Sequence, residues 1–133
     1  AASDVYKRQP KHVYGADHLY WELSKGEPYI LVHRRTSQHP DGVNINIDGF
    51  RESYNLPDLK VIEINESITN NMMQYVKLIE HASEIHCVSS SFFNLVDSMI
   101  DKTNAKLFFH DVRITHCTSL QKNWVRVTYA NKY

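Results

Sequence analysis

Four short polar runs gather residue types that can do chemistry: His33-Arg34-Arg35-Thr36-Ser37, Asn65-Glu66-Ser67, Ser89-Ser90-Ser91 and His110-Asp111-Val112-Arg113. The triple serine is the most informative, because hydroxyls and backbone N–H groups at the start of a helix form an anion site suited to a diphosphate. Its plainer reading is a helix cap made by Ser90 or Ser91. Arg34 and Arg35 can grip phosphate oxygens through bidentate hydrogen bonds, or can be a solvated loop pair. His33 and His110 can contact a sugar or phosphate, but a histidine at a strand end is often bonded only to backbone. Glu63 and Glu66 can take ribose hydroxyls, or be a sheet-face residue and a first-turn carboxylate. Arg113 is a further candidate for a sugar or ribose contact.

These runs share a place only if the elements before them form one sheet. Tyr29-Ile30-Leu31-Val32-His33 is a nearly continuous apolar run, as a strand covered on both faces requires. Residues 60–64, 84–88 and 106–110 read the same way. Between them, Met72, Tyr75, Val76 and Ile79 recur at helical spacing, and Phe92, Leu95, Val96, Met99 and Ile100 do so more clearly. The spacing predicts helices near 70–82 and 91–102. Strand, helix, strand, helix, strand from residue 60 to residue 110 predicts a Rossmann-like α/β fold with right-handed crossovers and a parallel sheet. In such sheets ligands sit beyond the carboxyl ends of the strands, where the four runs fall.

The flanks are less regular. Asp17–Lys25 predicts a short helix stopped by Gly26 and Pro28. Residues 34–58 read as a loop with one short edge strand over the alternating Val43–Ile47. Residues 124–129 fit either a last strand or a packing tail.

Composition narrows the possibilities. At 133 residues and 42% hydrophobic content the chain can fill one core and not two. Lys+Arg and Asp+Glu balance at 15 each, so no net field draws it to nucleic acid, and any phosphate site must be local. Cys87 and Cys117 lack zinc or disulfide-scaffold spacing and read as free thiols. No apolar stretch reaches membrane-span length. The sequence lacks GxSxG, Walker A, GxGxxG and HExxH motifs, which argues against the corresponding hydrolases, ATPases, dinucleotide oxidoreductases and metalloproteases. No metal and no cofactor is expected.

The segment from Tyr29 to His110, with YILVH, MMQYVKLIEHASEIHCVSSSFFNLVD and KLFFHDVR, resembles the C-terminal domain of GT-B-fold glycosyltransferases, in particular fucosyltransferase-like enzymes of bacterial surface-polysaccharide synthesis. The resemblance implies a nucleotide-sugar donor as substrate, with Ser89, Ser90 and Ser91 at its diphosphate and Arg34 or Arg35 assisting. It also implies metal-independent transfer to a glycan or lipid-linked acceptor, with an acceptor-binding N-terminal domain and its catalytic base lying outside this segment. A cytoplasmic location, at the inner face of the membrane for the whole enzyme, goes with that implication. Residues 1–9 include Asp4-Val5-Tyr6-Lys7-Arg8-Gln9, which looks like a translated sequencing adaptor, so residues 10–133 are read as the domain and the segment alone is expected to lack transferase activity. Two other classes share the same features: a sugar-phosphate-binding domain such as a GT-B-like epimerase, and a noncatalytic interaction module.

Overall fold

A computed structural model describes residues 11–47, 59–112, 120 and 123–130. Helix α1 spans Lys11–Ser24, and strands β1 and β2 span Tyr29–His33 and Lys60–Glu63. A 3₁₀ turn at Met72–Tyr75 runs into helix α2 at Val76–His81, followed by β3 at Glu84–Cys87. Helix α3 spans Ser91–Ser98, a 3₁₀ turn covers Ile100–Lys102, and β4 and β5 span Lys106–Asp111 and Trp124–Thr128. The five strands form one sheet in the order β2-β1-β3-β4-β5, parallel at every pairing. The chain is therefore an α/β domain of Rossmann-like type.

Period-two alternation divides the strand residues between the two faces. Tyr29, Leu31, Ile62, Ile85, Cys87, Leu107, Phe109 and Trp124 pack with Leu19 of α1, Leu78 and Ile79 of α2, and Phe92, Phe93 and Val96 of α3 in one core. The Tyr29 hydroxyl donates to the Leu78 carbonyl at 2.6 Å, which satisfies it inside that core and ties β1 to α2. The opposite face is also buried, with Ile30, Val32, Glu84, His86, Phe108 and His110 at 0–3% exposure. That is why the strands read as continuous apolar runs.

Several local expectations are amended. Helix α1 begins six residues earlier than Asp17. Gly15 lies inside it and faces the Gln74 side chain of the 3₁₀ turn. The helix ends where Lys25 and Gly26 take φ of 56° and 75°, with Ser24 Oγ accepting the Gly26 N–H. Both predicted long helices are split between 3₁₀ and α geometry. Val43–Ile47 forms no strand: Val43 is buried with Val88 and Val112, its N–H donating to the Arg34 carbonyl at 2.9 Å, and Ile45 packs on the same cluster. The alternation there marks a loop docked by its apolar side chains. Residues 124–128 form a strand, paired with β4 from Leu107↔Trp124 to Asp111↔Thr128. Among the described residues no helix is long and apolar enough to cross a membrane.

Candidate functional site

Strand β1 neighbours β2 on one side and β3 on the other, so the chain departs in opposite directions from β1 and β3 and leaves a crevice at their carboxyl ends. A cleft of about 990 Å³ opens there. Its floor is His33, Ser89, Ser90 and Ser91; one wall carries Arg35, Thr36, Ser37 and Pro40, and the other Asn65, Glu66, Thr69 and Asn70. Ile64, Met72, Tyr75 and Phe93 give it an apolar side.

The serine turn has the geometry of a helix cap. Ser90 is extended, at φ −166° and ψ 173°, and its Oγ accepts the Phe93 N–H at 3.3 Å. The first N–H groups of α3, at Ser91 and Phe92, have no acceptor within the helix, and Ser91 lines the cleft. Ser90 Oγ also lies 3.2 Å from the Val88 carbonyl, to which it donates, and 3.3 Å from His33 Nδ1. Since the hydroxyl has one proton, its bond to Val88 leaves it accepting from His33 Nδ1–H. Burial, reinforced by the Arg35 charge and opposed by Glu63, lowers the His33 pKa to about 4. His33 is thus a neutral imidazole at pH 7, resting near the Phe92 ring at a centroid distance of 5.0 Å.

The two arginines part company. Arg34 Nε donates to Glu63 Oε1 at 2.6 Å, and its side chain lies over Gly42, where a Cβ would come within 3.2 Å of it. Gly42 has φ of 94°, so this close approach and the backbone geometry both favour glycine. Arg35 lines the cleft, and its Nε is buried without a hydrogen-bond partner among the described residues. A buried donor left without an acceptor costs about 1–3 kcal/mol, so an acceptor oxygen within reach of the Arg35 Nε–H would be stabilising. The loop that carries it is shaped by reciprocal backbone bonds between Thr36 and His39, and by the Gly42 N–H donating to the His39 carbonyl.

Of the residues singled out from the sequence, the structure brings His33, Arg35, Glu66, Ser89, Ser90 and Ser91 to one cleft. Arg34 and Glu63 pair with each other outside it. His110 does not reach it: with Phe109 turned to the helices, His110 faces the other side of the sheet and is fully buried. Arg113 and Cys117 lie outside the described residues. Sequence reasoning did not pick out Thr69, Asn70 and Asn94, polar residues that also line the cleft. Among the described residues no three His, Cys, Asp or Glu side chains are grouped as a metal site needs. Comparison with protein-family models, curated proteins and solved structures finds no match to this chain.

Proposed function

We propose that this chain is the donor-binding domain of a GT-B-fold glycosyltransferase, and that the cleft takes the diphosphate of a nucleotide sugar. The observation that carries the reading is the Arg35 Nε, buried without a partner among the described residues on a side chain that lines the same cleft as the serine-capped start of α3. A helix N-terminus alone contributes about 0.3–1 kcal/mol toward an anion when exposed, so a tight diphosphate site needs an added cation of this kind. Asn65, Glu66, Asn70 and Asn94 are of the types that bond sugar and ribose hydroxyls, and Tyr75 and Met72 offer an apolar surface to a base. In transfer, Arg35 and the α3 amides would stabilise the departing nucleoside diphosphate electrostatically. The sugar would pass to a glycan or lipid-linked acceptor held by a second domain, whose base would activate the acceptor hydroxyl.

Calorimetric titration with UDP, GDP and ADP tests the reading. One nucleoside diphosphate is expected to bind at least tenfold more tightly than its nucleoside, with binding weakened in Arg35→Gln. Equal affinity for nucleoside and nucleoside diphosphate would overturn it.

A further inference from the structure

His33 shares the cleft with the two groups that give it positive character, Arg35 and the start of α3. Its Nδ1 lies 3.3 Å from Ser90 Oγ and its ring rests near that of Phe92, while Nε2 has no hydrogen-bond partner among the described residues. With Nδ1–H donating to Ser90, Nε2 carries a lone pair and no proton. A lone pair repels an anion, so Nε2 suits a negatively charged ligand once it is protonated.

In the empty cleft several effects oppose a charge on this ring. Burial strips it of water, Arg35 adds a like charge, and the start of α3 presents the positive end of a helix. Glu63 on β2 acts the other way, but its carboxylate already holds Arg34 at 2.6 Å. Cys87 on β3 pairs in register with His33, and burial pushes its thiol up, so it stays neutral. Tyr75, on the far side of Phe92, is pushed up to about 12 by burial and is neutral too. Glu66 stands on the wall across the cleft from Arg35.

An anion between Arg35 and the serine turn reverses this balance. Resting on the reading of the cleft as a diphosphate site, we propose that His33 is its second cation: the ring takes a proton at Nε2 as the diphosphate binds and returns it when the diphosphate leaves. The proton comes from solvent, the imidazole goes from neutral to one positive charge, and the phosphate oxygens supply the counter-charge. Every existing bond of the ring is kept. Moving the Nδ1 proton to Nε2 instead would require the Ser90 hydroxyl to turn away from the carbonyl of fully buried Val88. The cleft thus holds two neighbouring cations only while it is filled.

An opposite charge within about 4–6 Å moves a pKa by about 1–3 toward the charged form. That takes His33 from about 4 in the empty cleft to about 5–7 in the filled one. Because the value is higher with ligand than without, the gain in affinity is fully developed below about 4 and is lost as pH rises through the bound-state value. For a rise of about 2, the gain between about pH 7.5 and about pH 5 is about 10-fold relative to a chain that cannot charge here.

Nitrogen-15 NMR of the His33 ring, followed from about pH 8 to about pH 3 with and without saturating UDP, GDP, ADP or inorganic pyrophosphate, tests the assignment. The midpoint is expected to rise by about 1–3 with the bound anion, with both ring nitrogens protonated below it. His33→Asn keeps an N–H donor for Ser90 and cannot charge. The ratio of wild-type to His33→Asn affinity is therefore expected to grow about 10-fold from about pH 7.5 to about pH 5 by calorimetry, where protonation of the ligand's own phosphate cancels between the two proteins. A bound anion with an unmoved His33 midpoint, or a ring that stays neutral with its proton moved to Nε2, would overturn the inference and leave the cleft reading standing. No saturable binding of any of the four probes would overturn both. If His33→Asn does not fold, the wild-type ring decides alone.

Discussion

Replacing Arg35 by methionine separates what this residue does for the fold from what it does for the cleft. Methionine retains an unbranched apolar stem and removes the guanidinium, including the buried Nε–H that has no partner among the described residues. That unpaired donor costs about 1–3 kcal/mol, while the charged head also loses favourable hydration, so Arg35→Met is expected to leave stability unchanged or raise it by about 1 kcal/mol. Charge-assisted hydrogen bonds to a diphosphate contribute about 1.5–3 kcal/mol, which predicts an affinity loss of about 10- to 150-fold. Arg34→Met is the control. It deletes the 2.6 Å pair to Glu63, whose partners are about a third exposed, and is expected to cost about 0.2–1 kcal/mol with nucleotide affinity unchanged. Urea denaturation and calorimetric titration on the same preparations measure both quantities. If Arg35→Met bound nucleoside diphosphate like wild type, or if Arg34→Met lost as much affinity, the assignment of Arg35 to the ligand would be refuted.

Three further outcomes follow from the same geometry. Ser90→Ala removes the side-chain acceptor of the Phe93 N–H and is expected to destabilise the domain by about 1 kcal/mol in urea denaturation, with nucleotide affinity also reduced. Phe92→Ala empties a fully buried ring site between Tyr75 and His33 and is expected to cost about 3–5 kcal/mol, seen as a much lower urea midpoint. Stability is expected to fall as pH drops from about 6.5 to about 4, because the unfolded chain takes a proton on His33 at its ordinary pKa whereas the folded chain resists until about 4. The sign follows from the lowered folded value: this penalty is absent above 6.5 and fully developed below 4. Urea titrations at stepped pH in His33→Asn should show a shallower loss over that window.

Much of this architecture is legible in the residues, because a strand buried on both faces must be apolar throughout and a helix on one face must repeat every three to four. The three central strands, β1, β3 and β4, announce themselves in this way, whereas β2 lies at an edge with Val61 exposed. Their lateral order does not, since which parallel strands become neighbours depends on contacts between segments far apart in the chain. Strand β5 is ambiguous because Val125 and Arg126 are both exposed, as on an edge, and only Trp124 enters the core. The choice between the arginines was available from parity. Tyr29, Leu31 and His33 alternate toward the helices and Arg35 continues that set, whereas Arg34 continues Ile30 and Val32 toward Glu63. The same parity separates His110 from Phe109 and places Glu84 and His86 together on the far face. What no sequence pattern gives is the hydrogen-bonded meeting of His86, His110 and Tyr129, which requires β3, β4 and β5 to lie side by side.

The central claim is that the carboxyl ends of β1 and β3 hold a nucleoside diphosphate between Arg35 and the start of α3. Amide and guanidinium nitrogen-15 spectra of the chain during titration with UDP, GDP and ADP test it most directly. The account predicts saturable shifts concentrated at the Arg35 Nε–H and the Ser90, Ser91 and Phe92 amides, with the Arg34 Nε–H resonance little changed by its bond to Glu63. Absence of saturable shifts with all three nucleotides, or shifts centred away from Arg35 and the serine turn, would contradict it.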